Sequence, residues 1–332
     1  MRRRSQNNGP ALSDRSHPRS RVAATLIAVV VGLLAACSPD STTSGPKTPL
    51  SSADVASRVA HVDKLDAGGA GWAMVMSSGA LWIQVDPPVD AIMRIDVESG
   101  AAVPAVPGGH SVESGPEGLW VVGEDWLARV DPADGNEALR VDIGGDFALG
   151  EGSVWVFNEE GLHRIDPGSG KVADPVARGA AALCYEPAGL IVAFDSAWLA
   201  CKEGKVLRLA IPSGGVTEIA TDSGSHTLTV TDTAVWVSNY LADNVSRIDV
   251  RTNSATTVPG VGAGVGITSG GGYVWASAAQ GIAKIDPATA SVVETLDVGT
   301  GFGINLYELV WDKGIIWAST RSSQVLKVDP SR

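Results

Sequence analysis

The sequence is poor in positive charge, in cysteine and in every aromatic residue except one. Its 332 residues carry 25 Lys and Arg against 37 Asp and Glu, a formal net charge of −12. A chain this acidic lacks the basic stripe that a nucleic-acid footprint requires, which excludes nucleic acid as a partner. Val22 to Ala36 is an uncharged, mainly apolar run of fifteen residues, short of the about 20 that a membrane-spanning helix needs. Common catalytic signatures are missing as well. There is no Gly-x-Ser-x-Gly elbow leading into a helix, no His-Glu-x-x-His, and no phosphate-binding glycine loop ahead of Lys-Ser/Thr. The glycine strings at 262–266 and 299–303 precede strand patterns rather than helices, which excludes a dinucleotide site.

What is abundant is tryptophan, with ten copies against four each of Phe and Tyr. Seven of them recur in one context: Trp82, Trp120, Trp155, Trp198, Trp236, Trp275 and Trp317, spaced by 38, 35, 43, 38, 39 and 42 residues. A basic-apolar-acidic triplet follows each, as in Arg94-Ile95-Asp96, Arg164-Ile165-Asp166 and Arg247-Ile248-Asp249, and only the fourth decays, to Arg208-Leu209-Ala210. A repeat of this length built from short β runs is that of a four-stranded propeller blade. Seven copies predict an all-β, seven-bladed β-propeller of four-stranded blades.

Blade five shows the pattern most plainly. Apolar runs at Thr227 to Val230, Ala234 to Ser238, Asn244 to Val250 and Thr256 to Pro259 are separated by turn residues. The tails Asp131 to Gly135 and Asp166 to Gly170 are turn chemistry, with an Asx acceptor, a Pro that presets φ and a Gly that supplies positive φ. A residue present in every blade serves every blade, so the seven Trp and the Arg/Lys-x-Asp sets are assigned to packing. The chain stops after the third strand of blade seven, and Ser57 to Leu65 alternates apolar with polar before blade one. The last blade is therefore expected to be closed by an N-terminal outer strand, which removes exposed edges.

Residues 1–36 read as an export signal, with six Arg ahead of the apolar run. The run ends in Leu34-Ala35-Ala36-Cys37, which resembles a bacterial lipobox and predicts acylation of Cys37. Residues 37–56 form the lipidated Cys and a polar Ser/Thr/Pro-rich tether, and residues 57–332 the propeller. The expected location is the outer face of the bacterial cytoplasmic membrane, with the membrane engaged through the lipid anchor only. Removing residues 1–36, which hold six Arg and one Asp, deepens the net charge to −17. Cys184 and Cys201 remain, an even count that predicts a disulfide in an exported protein.

The repeats, of the form Gly-x-Val/Leu-Trp-Val followed by Arg-Ile-Asp-Pro-x-Thr/Ser-Gly, resemble the YncE-like and streptogramin B lyase-like seven-bladed propellers over the whole of residues 57–332. The lyase resemblance implies a magnesium-assisted eliminase, with a His base on an inner strand, a Glu two residues before it and a second Glu beyond the next strand. His110 and His226 occupy that inner-strand phase, but Gly108 and Gly224 stand where the first Glu belongs. Beyond the next strand His110 has Glu124, whereas His226 has Asn239 and Tyr240. His110, His226 and Glu124 are thus the catalytic candidates of an incomplete set, with Mg²⁺ as the implied cofactor of that alternative and no cofactor otherwise.

Positions that differ between blades are free to specialise. Trp72, His110, Asp146, His226 and Glu308 each fall nine or ten residues before a blade Trp and are expected to meet at the channel mouth. Around them the connections from strand two to strand three form an acidic rim containing Glu124, Asp125, Glu159, Glu160, Glu203 and Asn239 to Asn244, interrupted by Tyr240 and Arg321. The function expected from this pattern is a non-catalytic binding or scaffold module, monomeric, that takes a protein, peptide, glycan or cationic small molecule at its propeller face.

Overall fold

A computed structural model describes residues 55–332 except 263 and 300–305. Cys37, the signal and most of the tether lie outside the described residues. Twenty-eight strands and one short 3-10 turn, Ala180–Leu183, make up the described chain. The strands form seven sheets, and the inner strands of successive blades touch all the way round, blade seven against blade one included. The architecture is the seven-bladed propeller that the repeats predict.

Each repeat Trp fills the seam to the next blade. Trp82 packs on Val112 and Val121 of blade two, Trp236 on Val274 and Ile285 of blade six, and Trp317 on Leu81 and Ile83 of blade one. All seven are at most 3 % exposed. The triplet's basic residue sits opposite the Trp in the ladder, as Arg208 does for Trp198 and Lys327 for Trp317. There the cationic groups of Arg208, Arg247, Lys284 and Lys327 stand 4.8, 5.8, 5.5 and 5.8 Å from their indole centroids. The triplet's Asp caps the following turn. Asp166 Oδ1 accepts the N–H groups of Gly168 at 3.2 Å and Ser169 at 2.8 Å. The same bonds hold the carboxyls of Asp96, Asp166 and Asp249 below the usual range.

Closure differs in one respect from expectation. His61–Asp66 pairs antiparallel with Gln324–Asp329 and completes blade seven. Ala56–Val59 instead runs parallel to Ser291–Asp297 as a fifth strand on blade six. The chain crosses between blades at Ala60, whose small side chain is buried with Trp275, Leu296 and Val328. Arg58 secures the crossing with a 2.8 Å ion pair to Glu294.

Blade three also departs from the four-stranded pattern. Its outer strand is reduced to two bridges, Leu162 with Val176 and Ile165 with Val172. Pro175 offers no N–H to a ladder, and Ala177 has a φ of 51° that turns the chain out of the sheet.

Candidate functional site: the channel mouth

Inner strands begin at one face of the ring, and there a cavity of about 700 Å³ opens on the axis. Trp72, His110, Asp146, His226 and Glu308 all line it, joined by Glu124. The common phase of these residues therefore places them in one cavity. Tyr240 stands behind that wall, edge-on to the His226 ring with centroids 5.8 Å apart.

Two contributors escaped the sequence reading. Glu113 lines the cavity one step deeper, opposite Trp120 in the blade-two ladder. At that phase the other blades carry Val75, Ala148, Ile191, Thr229, Thr268 and Val310. A lone carboxylate among them was the available signal. Tyr307 packs against Trp72 with ring centroids 4.0 Å apart and planes tilted by 39°, and the Arg321 guanidinium lies 5.8 Å over the Tyr307 ring.

Enclosure sets the electrostatics. Glu113 and Glu308 keep some surface toward the channel, but protein surrounds both carboxyls. Burial pushes Glu113 from 4.5 up to about 8, against the N–H of Leu149 that donates to it at 2.9 Å, with the charge of Glu117 adding to the rise. Burial likewise pushes Glu308 up to about 8, and Glu113 contributes to that shift. Asp146 is raised by burial. His226 is driven down from 6.5 to about 4 by burial and by the charge of Lys202, which leaves the imidazole neutral near pH 7. Among the described residues, the cavity wall contains four carboxylates and no Lys or Arg.

At the rim, Trp72 donates its indole N–H to Asp86, which also accepts from Gln84 at 3.2 Å. Glu124, Asp125, Glu159 and Glu160 are exposed as expected. Asn239 is not part of the rim. It is fully buried, accepting from Ser225 at 2.9 Å and donating to Asn244 and Ser246 at 2.8 Å each, because it is the last paired residue of its strand. Glu203 is tied down by the N–H of Tyr185 at 2.9 Å and by Lys205 at 3.9 Å. Cys184 and Cys201 form a disulfide that pins the 180–184 turn to blade four. Of the other histidines among the described residues, His163 is buried against Asn158 at 3.2 Å and His61 is exposed beside Asp63.

The implied magnesium does not fit these residues. Among the described residues, the one group of three potential ligand residues within 4.8 Å is Cys184, Cys201 and Glu203, and its sulfurs are bonded to each other. His110, Glu124 and His226 share a cavity but do not converge their ligand atoms.

The ring defines a seven-bladed β-propeller, and solved structures agree. The fold matches virginiamycin B lyase from Staphylococcus aureus with a TM-score of 0.63 at 15% identity, covering 81% of this chain and 99% of that one. It matches the WD40 domain of Pan2 from Neurospora crassa with a TM-score of 0.60 at 10% identity, covering 80% and 90%. BamB from Moraxella catarrhalis matches with a TM-score of 0.54 at 15% identity, covering 78% and 84%. No family model and no curated protein sequence matches the chain. At such identities the likeness is one of fold.

Proposed function

We propose that the protein is a lipid-anchored, extracytoplasmic propeller that binds, without transforming, a ligand bearing a cationic group at its channel mouth. The observation that carries this is the convergence of blade-specific residues, Trp72, Asp146, Glu308 and Glu113, on one cavity walled by carboxylates and, among the described residues, without a Lys or Arg. An aromatic face beside carboxyl groups suits an ammonium or guanidinium group, whose charge favours the ionised form of Glu113 and Glu308 against the burial that raises both to about 8.

The test is capture of envelope components on the immobilised protein at low and high salt, with a Glu159→Lys, Glu160→Lys variant and a Trp72→Ala, Asp146→Asn variant beside it. Attraction across exposed charges fades beyond about 8 Å at physiological salt, so partners should elute earlier from the rim variant and be absent from the mouth variant. Identical elution from all three proteins would refute the reading. For the anchor, Cys37→Ala should release the protein from membranes, whereas retention would point to an uncleaved helix.

One observation favours a second reading, a carbon–oxygen lyase. His226, neutral near pH 7, and His110 with Glu124 face the same cavity. Opening of a cyclic depsipeptide lactone that disappears in His226→Ala would establish that reading over the first.

A further inference from the structure

On the face opposite the mouth, blades six and seven enclose a second cleft, of about 390 Å³. Its floor is a pair of stacked indoles, Trp311 on Trp275, with centroids 5.7 Å apart and planes 12° from parallel. Tyr273 meets the edge of Trp275 at 6.0 Å, and the Lys284 ammonium stands 4.1 Å from the Tyr273 ring centroid. Lys313, at the tip of the first hairpin of blade seven, flanks the cleft, as do Asp329 and Ser331.

Trp275 and Lys284 belong to the repeat, but Tyr273, Trp311 and Lys313 do not. Two residues before the repeat Trp, where Tyr273 stands, the other blades carry Ala80, Gly118, Ser153, Ser196, Ala234 and Ile315. Six residues before it, where Trp311 stands, they carry Met76, Ser114, Leu149, Val192, Val230 and Ser269. None of these is aromatic, so the other seams close without such a floor. Glycines make the room: a Cβ on Gly270 or Gly271 would come within 2.1 or 2.8 Å of the Trp311 indole.

The charge here runs against that of the whole protein. Arg58 pairs with Glu294 at 2.8 Å, and Arg332 pairs with Asp329 at 3.2 Å. Lys284 shares Glu294 at 3.5 Å. Lys313 is exposed and has no hydrogen bond or ion pair among the described residues. Two ammonium groups therefore overlook an aromatic floor in a chain whose net charge is −12.

We propose that this cleft binds an acidic saccharide unit, its ring laid on Trp311 and Tyr273 and its carboxylate directed at Lys284 and Lys313. Indole and phenol faces attract the C–H face of a sugar ring by dispersion. The ammonium groups add charge-assisted hydrogen bonds to the carboxylate. The Ser331 hydroxyl, which donates to Asp329 at 2.6 Å, can still accept from a ring hydroxyl, as can the hairpin carbonyls, and an aromatic acid of similar size would leave these acceptors unused. The cleft is near the small end of ligand sites, a match for one or two sugar units. It shares no residue with the channel mouth, so the inference is independent of the function proposed there.

Calorimetric titration of the purified protein with digalacturonate, the uncharged digalactose, and phenylacetate tests this. The uronate should bind at millimolar Kd or tighter, with at least about tenfold advantage over either control. Lys313→Glu, an exposed hairpin change, should weaken uronate binding about tenfold and leave the melting temperature unchanged. Trp311→Phe, which keeps an aromatic floor, should retain most of the binding. No uronate binding up to about 20 mM, equal binding of either control, or full affinity in Lys313→Glu would overturn the proposal.

Discussion

Trp72 and Tyr307 meet ring against ring, 4.0 Å between centroids and tilted by 39°, across the seam where the last blade meets the first. Neither ring belongs to the repeat, and Trp72 is 41 % exposed at the mouth. The buried tryptophans of the repeat hold blades together, whereas this pair faces outward at the one place where the ring is sewn shut.

That contrast predicts opposite mutational behaviour. Trp236→Ala empties a fully buried seam and should cost about 3–5 kcal/mol in chemical denaturation. Trp72→Ala should cost under about 1 kcal/mol, as for other half-exposed positions, while abolishing capture at the mouth. Equal destabilisation by the two changes would place Trp72 in the packing set.

Closure is graded. Deleting 55–59 removes only the fifth strand of blade six and should lower the melting temperature modestly. Deleting 55–66 also removes the pairing of His61–Asp66 with Gln324–Asp329, exposes the edge of blade seven and should abolish cooperative unfolding. A longer deletion that melts like the shorter one would contradict the closure.

The channel carboxyls make stability depend on pH. Glu113 and Glu308 titrate near 8 in the fold against an ordinary 4.5. Their raised values give the folded state more bound protons, so their contribution is complete below about pH 4.5 and is lost as pH rises toward 8. His226 acts in the other direction, since its lowered value penalises folding as pH falls from 6.5 toward 4. Between about pH 5 and about pH 8.5, Glu113→Gln, Glu308→Gln should therefore lose less melting temperature than the wild type. Parallel profiles for the two proteins would show that the carboxyls titrate normally.

Much of this architecture was legible because it repeats. Seven Trp phases place the blades, and the strand count at the C-terminus requires an outer strand from the other end. The split at Ala60 was not legible, because 57–65 alternates continuously and nothing in that alternation marks a change of sheet. Trp72, His110, Asp146, His226 and Glu308 were found by phase, since equal offsets from the repeat Trp reach equal heights in the channel. Glu113 sits at a phase that is apolar or hydroxylic elsewhere, and only a comparison across blades exposes it. Asn239 was misplaced on the rim because the length of its strand decides whether a residue at the strand end turns inward. The meeting of Tyr273 with Trp311 depends on the register of two separate blades, which no single repeat encodes.

The most direct measurement of the binding role is site-specific photocrosslinking in native envelopes. A benzophenone side chain, which keeps an aromatic face at the mouth, replaces Trp72 in one protein and Val293, on the fourth strand of blade six and 40 % exposed, in another. Binding at the channel mouth predicts adducts from position 72, diminished by high salt, and none from position 293. Adducts from position 293 alone, or from neither, would contradict it.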